Sequence, residues 1–133
     1  MRVQLALNVD NLEQAITYYS KLFAAEPHKI REGYANFALD SPPLKLVLFE
    51  NPGAEERINH LGIEVEDPEQ IATAKQRLAK AGILDAIQNH ASCCHATQNK
   101  LWSREPDGLR WEWYQITDDA PAINAAANHC CSG

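Results

Sequence analysis

The stretch QLALNVD at residues 4–10 recurs in altered form as HLGIEVE at residues 60–66, and this repetition decides the fold. Apolar residues occupy the same places in both stretches, which are offset by 56 positions. A second match pairs LKLVLFE at 44–50 with LRWEWYQ at 109–115, now offset by 65 positions. Because the offset grows, the second copy contains an insertion. An internal repeat of this length indicates two similar modules.

The first copy predicts a βαβββ module. Residues 3–9 alternate between apolar and polar side chains, which is typical of a half-buried strand. A helix over about 12–24 follows, with Asp10 and Glu13 as a capping box. Its inner face is expected to carry Leu12, Ile16, Tyr19 (or Ala15), Leu22 and Phe23. Three extended segments near 27–32, 34–40 and 44–50 complete this copy.

The second copy repeats the same order of elements. A strand at 60–66 precedes a helix that Pro68 opens and Gly82 ends near residue 81. Strands are then expected near 83–89, 97–104 and 109–116. The predicted fold class is therefore α+β, with two paired βαβββ modules forming a concave mixed sheet around a metal site. The domain spans 1–116, with modules at about 1–50 and 59–116, and an Ala/Asn-rich tail at 117–133 ends in a cysteine pair.

The composition and net charge of the chain argue against some classes of binding partner. The 133 residues suit one compact domain, and twelve Lys+Arg against eighteen Asp+Glu give a net charge of −6. An acidic chain without a basic block argues against binding to nucleic acid or to an anionic membrane. The longest aliphatic or aromatic run, at 46–49, is too short to span a bilayer, and no signal peptide is evident. We therefore expect a cytoplasmic protein with reduced thiols.

The four cysteines form two adjacent pairs, Cys93-Cys94 and Cys130-Cys131. Neighbouring cysteines bridge only through a strained ring, so the pairs do not indicate a disulfide framework. The spacing also differs from that of a structural zinc site. Two vicinal thiols suit a thiophilic ion, although buried apolar cysteines explain the pattern equally well.

Strand alternation selects three candidate metal ligands. The large apolar residues of each first strand share one face, which leaves Gln4 and His60 on the other. Glu112 and Val47 occupy equivalent places in the last strands. If the copies pair about a local two-fold axis, an amide, an imidazole and a carboxylate converge, a donor set for a divalent metal with open positions. Taken singly, His60 also fits a hydrogen-bonded core residue, and Glu112 also fits the solvent face of a strand.

These residues lie in stretches that resemble the vicinal oxygen chelate superfamily, which includes glyoxalase I, antibiotic-resistance proteins and extradiol dioxygenases. The branch of cadmium-induced proteins and Fe(II)-dependent carbon–arsenic lyases is the most similar. The resemblance covers about 1–116. The stretches that carry it are RVQLALNV at 2–9, GYANFA at 33–38, PPLKLVL at 42–48, NHLG at 59–62, PDGLRWE at 106–112, and Cys93-Cys94, Gln98, Lys100 and Trp102.

The resemblance implies a function and its site. Gln4, His60 and Glu112 would bind Fe(II), and Cys93 and Cys94 would hold a trivalent organoarsenical. Dioxygen would be the second substrate, and inorganic arsenite is the expected arsenic product. The chain departs from the branch at His95, where an aromatic residue is expected, and at Asn99, where aspartate is expected.

Several roles stay open at this stage. His95 is an accessory candidate, as a soft ligand, as a base beside the thiols, or as an exposed loop histidine. Cys130 and Cys131 would capture substrate, sequester metal or be inert. The protein would be a monomer or a homodimer. The alternative functions are a non-enzymatic cadmium- or arsenite-binding stress protein and a thiol-conjugating, glyoxalase-like metalloenzyme.

Overall fold

The computed structural model describes residues 1–93 and 96–119, except for the side chain of Cys93. These residues divide into two compact units. One unit contains Arg2–Asn59, and the other contains Met1 together with the described residues from His60 onward. Neither helix in the described part of the chain is long and apolar enough to cross a lipid bilayer.

The first unit is a four-stranded sheet with one helix packed against it. Its elements are β1 (Arg2–Val9), α1 (Leu12–Phe23), β2 (Lys29–Arg31), β3 (Tyr34–Asp40) and β4 (Pro43–Glu50). The strand order is β2-β3-β4-β1, with β1 parallel to β4 and the other pairs antiparallel. Alternate residues of β1, β3 and β4 form the core with α1. The buried members of this core are Leu12, Ala35, Phe37, Leu39, Leu46 and Leu48.

Helix α1 begins one residue later than the predicted capping box requires. Asn11 has extended backbone angles, and its side-chain oxygen accepts a hydrogen bond of 2.9 Å from the Gln14 N–H. Asp10 instead accepts a hydrogen bond of 3.2 Å from the backbone N–H of Gly53. The prediction of Asp10 as the cap was therefore wrong, because a contact with a distant loop engages its carboxylate.

We expect Asn11→Ala to lower the free energy of unfolding by about 1 kcal/mol, the usual cost of losing an N-cap. Urea unfolding of the two single variants, Asn11→Ala and Asp10→Ala, measures this cost. Asp10→Ala removes the contact with Gly53 but leaves the cap, so its loss should be smaller. A larger loss in Asp10→Ala than in Asn11→Ala would contradict the assignment.

The inner face of α1 was predicted correctly except at Leu22. Ile16, Tyr19 and Phe23 pack against the core, whereas Leu22 is 55% exposed. At 3.6 residues per turn, Leu22 lies about a quarter of a turn from the centre of the buried stripe. Its side chain therefore points along the helix flank rather than into the sheet.

The second unit has the same order of elements. They are β5 (Ile58–Val65), α2 (Pro68–Lys80), β6 (Ala86–Cys93), β7 (Ala96–Arg104) and β8 (Arg110–Asp118). The first two residues of β5 belong to the first unit. The strand order is β5-β8-β7-β6, with β5 parallel to β8. Asp67 and Gln70 form a complete capping box at the start of α2, and Gly82 follows its end with φ +74°.

The predicted α+β class and the βαβββ order of both modules are confirmed. The inserted residues of the second copy lengthen the β6–β7 hairpin, whose strands have 8 and 9 residues against 3 and 7 in β2 and β3. Strand β6 begins at Ala86 rather than near 83, and Leu84, which precedes it, packs against the α2 core. Strand β8 runs to Asp118, into the predicted tail, because Thr97 of the longer β7 pairs with it.

Candidate functional site

One face of the sheet in the second unit carries polar side chains that are buried. Helix α2 packs on the opposite face, through Leu101 of β7 and Trp113 of β8. Since side chains alternate along a strand, their neighbours in sequence point away from α2. Four buried polar residues of β5, β7 and β8 lie on this face: His60 is 1%, Gln98 4%, Lys100 1% and Glu112 1% exposed. Buried polar and charged groups are costly unless they are paired, so this face is a candidate site.

His60 and Glu112 are in contact on this face. His60 Nε2 lies 3.3 Å from Glu112 Oε1, and both side chains are almost completely excluded from solvent. The parallel register of β5 and β8 pairs Gly62 with Glu112, so His60 reaches the carboxylate from two residues earlier on the same face. The structure thus brings together two of the three predicted metal ligands.

Lys100 completes a buried ion pair with the same carboxylate. Its Nζ donates a hydrogen bond of 3.0 Å to Glu112 Oε2. Burial by itself raises the pKa of Glu112, but the charge of Lys100 and the hydrogen bond from His60 outweigh it and lower the pKa to about 2. Glu112 is therefore a carboxylate at neutral pH, as a metal ligand must be.

Trp102 packs against the histidine. The two rings meet edge to face with their centroids 5.4 Å apart. The indole N–H donates a hydrogen bond of 3.0 Å to Gln88 Oε1, which holds the ring in place. Lys100 Nζ lies 5.4 Å from the same ring centroid, within the range of a cation–π contact. His60 is thereby held between a carboxylate and an aromatic ring.

The His60–Glu112 pair fits a divalent metal ion. Two donors at right angles, each about 2.1 Å from one ion, lie about 3 Å apart, close to the 3.3 Å seen here. Because Lys100 engages Oε2, Glu112 would offer Oε1 alone. An imidazole and a carboxylate suit Fe(II). Within residues 1–93 and 96–119, no three His, Cys, Asp or Glu side chains cluster to hold an ion, and the third predicted ligand is an amide.

Gln4, that predicted third ligand, lies in the first unit. It occupies β1 and is 5% exposed, on the sheet face opposite to α1. Ala6 and Val47, 0% and 2% exposed, share this face. The burial of Gln4 agrees with the alternation predicted for the strand. Its role as a ligand stays a prediction.

The thiol residues are described only in part. Cys93 is the last residue of β6, and its backbone pairs with Ala96. Cys94, His95, Cys130 and Cys131 lie outside the described residues. Trp102 of β7 pairs with Glu112, so six residues of strand, at most about 20 Å, separate the partner of Cys93 from the partner of Glu112.

A β-bulge interrupts strand β6, which ends at Cys93. The register of β6 against β7 shifts between Gln88 and Ala91, and His90 adopts φ +54°. The backbone N–H of His90 donates a hydrogen bond of 2.9 Å to Asn99 Oδ1. The residue at 99 therefore supports this bulge, and bulges bend the strand that contains them.

Sequence reasoning left Lys100 without a role, although it stands in the stretch that carries the resemblance. The sequence did contain a pattern that places Lys100 on the polar face, because Gln98, Lys100 and Trp102 alternate with Asn99 and Leu101 on one strand. Tyr114 was likewise left without a role: it is 1% exposed, and its hydroxyl donates a hydrogen bond of 3.1 Å to Glu64 Oε2. Both residues extend the polar face around Glu112.

Arg110 is a second cation beside this site. Its Cζ lies 4.6 Å from the Trp102 ring centroid. Burial, followed by the like charge of Arg104, lowers the pKa of Arg110, whereas Glu112 acts in the opposite direction. An arginine side chain nevertheless stays protonated at neutral pH.

Comparison with known proteins agrees with this architecture. The chain is 47% identical to a cadmium-induced protein, CadI, of Mycobacterium tuberculosis, over 99% of this chain and 93% of the relative. It is also 47% identical to a trivalent organoarsenical cleaving enzyme of Thermomonospora curvata, over 98% of this chain and 87% of the relative. A glyoxalase/bleomycin resistance protein/dioxygenase superfamily structure from Vibrio splendidus matches 86% of this chain and 97% of its own, with a TM-score of 0.54 at 19% identity, and supports the fold alone.

The sequence model of one superfamily covers most of the chain. It matches residues 2–113, which include the first βαβββ module, the second module up to the first part of β8, and the residues Gln4, His60 and Glu112. The chain belongs to the Glyoxalase/Bleomycin resistance protein/Dioxygenase superfamily.

Proposed function

We propose that the protein is an Fe(II)-dependent dioxygenase that cleaves the carbon–arsenic bond of trivalent organoarsenicals and releases arsenite. The observation that carries the proposal is the buried pair of His60 and Glu112, 3.3 Å apart on the polar face of the second unit. The 47% identity to a relative named as an organoarsenical cleaving enzyme supports the substrate class. We place this activity in the cytoplasm, where the thiols stay reduced.

His60 and Glu112 would hold the ion, with Gln4 as the third predicted ligand. Fe(II) bound there would supply the activation of dioxygen. Lys100 keeps Glu112 ionised and leaves one carboxylate oxygen for the metal. Trp102 excludes water from one side of His60 and restricts its ring. These contacts preorganise the two donors within the second unit.

Cys93 and Cys94 would bind arsenic as thiolates and hold the substrate at two points. In the β6–β7 hairpin, at most about 20 Å of strand separates Ala96, the partner of Cys93, from Trp102, the partner of Glu112. The β-bulge at His90 is the described bend in that hairpin. Bringing both reactants into one site is the proximity contribution to the rate.

Arsenic speciation tests the reaction. Aerobic protein with Fe(II) should convert methylarsenite to inorganic arsenite, and metal-free protein should leave it unchanged. We expect Cys93→Ser to lose both conversion and tight As(III) binding, whereas Ser92→Ala, a neighbouring change on the same strand, should keep both. An unchanged methylarsenite pool with the iron-loaded wild type would refute the proposal.

A second candidate function is sequestration of cadmium or arsenite by the cysteine pairs, without catalysis. The observation that favours it is the 47% identity to a protein named for its induction by cadmium. Sequestration predicts that Cd(II) and As(III) bind stoichiometrically while no product forms at any iron concentration. The same speciation experiment, combined with equilibrium binding, therefore separates the two functions.

A further inference from the structure

Arg110 lies next to His60 on the polar face. It is the first residue of β8, two residues before Glu112, and alternation puts both side chains on the same side. The parallel register pairs Leu61 with Trp111, so Arg110 and His60 each stand one residue earlier on adjacent strands. Both side chains also contact Trp102, so the Arg110 Cζ and the His60 ring centroid are no more than about 10 Å apart.

The guanidinium of Arg110 has hydrogen-bonding capacity that the fold does not use. Its Nη2 is buried, and no acceptor within the described part of the chain is placed to receive a hydrogen bond from it. The residue directly across the hairpin is Arg104, another cation. A buried donor without an acceptor, next to a like charge, costs stability. A ligand that supplied the acceptor would offset this cost.

We propose that Arg110 recognises a carboxylate, or a similarly acidic substituent, on the organic group of the arsenical. This inference rests on the proposed function and makes aromatic arsenicals that carry such a substituent the preferred substrates within its substrate class. A methyl group offers no acceptor. An arene places a para substituent several ångströms from the arsenic, and the Arg110 Cζ lies within about 10 Å of the His60 ring centroid. Paired hydrogen bonds from a guanidinium match the two oxygens of a carboxylate.

The test compares phenylarsenite with its 4-carboxy derivative. Binding of each is followed by tryptophan fluorescence in the metal-free protein, and KM is measured in the iron-loaded protein. The wild type should bind the 4-carboxy compound roughly 10- to 100-fold more tightly than phenylarsenite, the range for hydrogen bonds to a charged group. Arg110→Gln should remove this preference and leave phenylarsenite binding within about threefold, while Arg110→Lys should keep part of the preference.

Arg104→Gln is the matched control, because this residue is exposed and lies across the hairpin. It should keep the preference for the carboxylate. Equal binding of both compounds by the wild type, or an equal loss for both compounds in Arg110→Gln, would overturn the inference. The comparison of the two compounds in the wild type does not depend on whether any variant folds. Binding to the metal-free protein is measured independently of cleavage. If the protein preferred the 4-carboxy compound but cleaved neither arsenical, the proposed function would be refuted and this inference would stand.

Discussion

His60→Ala is expected to abolish cleavage of organoarsenicals and to weaken Fe(II) binding by more than 100-fold. Loss of an outer partner of a metal site typically costs 10- to 100-fold in affinity, and His60 would be a ligand itself. Alanine has no donor atom that could replace the imidazole nitrogen. Because strand β5 fixes the backbone at residue 60, no neighbouring side chain can move into its place. Anaerobic Fe(II) titration and arsenic speciation measure the two effects separately.

The control for this variant is His28→Ala, which changes an exposed histidine of the first unit. It should keep metal affinity and turnover close to wild type. Soft-ion binding by the cysteine pairs should persist in His60→Ala, since that variant leaves the thiols unchanged. Wild-type Fe(II) affinity in His60→Ala would show that the ion binds elsewhere.

Lys100→Met should lower the free energy of unfolding of the metal-free protein by about 3–5 kcal/mol, the cost of breaking a buried ion pair from one side. The reason is that Glu112, 1% exposed, would lose the cation 3.0 Å from its Oε2. Denaturant unfolding at neutral pH measures the loss. Lys80→Met is the control, because Lys80 is exposed at the end of α2.

A double-mutant cycle separates the ion pair from packing. In Lys100→Met/Glu112→Gln no buried charge is left without its partner, so much of the lost stability should return. If the losses of stability in the two single variants simply added in the double variant, the Lys100–Glu112 ion pair would not be the source of the loss. Metal affinity should remain low in the double variant, because an amide replaces the carboxylate ligand.

The pH dependence of this pair has a definite sign. Glu112 has a pKa of about 2 in the folded protein against an ordinary value of 4.5. A lowered carboxyl pKa stabilises the fold above pH 4.5, and this contribution is lost as the pH falls toward 2. The charge of Lys100 is the largest of the causes that lower this pKa, so the difference in stability between wild type and Lys100→Met should narrow across this interval. A constant difference would contradict the assignment.

Local pattern was sufficient to predict most of the elements. The two-residue alternation at 4–10 and 60–66 predicted β1 and β5, and it predicted that Gln4 and His60 would share their strand's polar face. The same alternation puts Glu112 on the face of β8 opposite to Trp113, which packs in the α2 core. The cap of α1 failed because Asp10 bonds to Gly53, a residue 43 positions away that no local window contains.

The sequence by itself determined the two βαβββ modules and the buried polar faces, because alternation and capping act over a few residues. The tertiary structure alone decided which polar groups meet. Lys100 reaches Glu112 because β7 and β8 pair Trp102 with Glu112, and a slip of one residue would turn Lys100 to the opposite face. The unsatisfied donor of Arg110 is equally a result of that register, since hydrogen-bond partners across a sheet depend on how distant strands align.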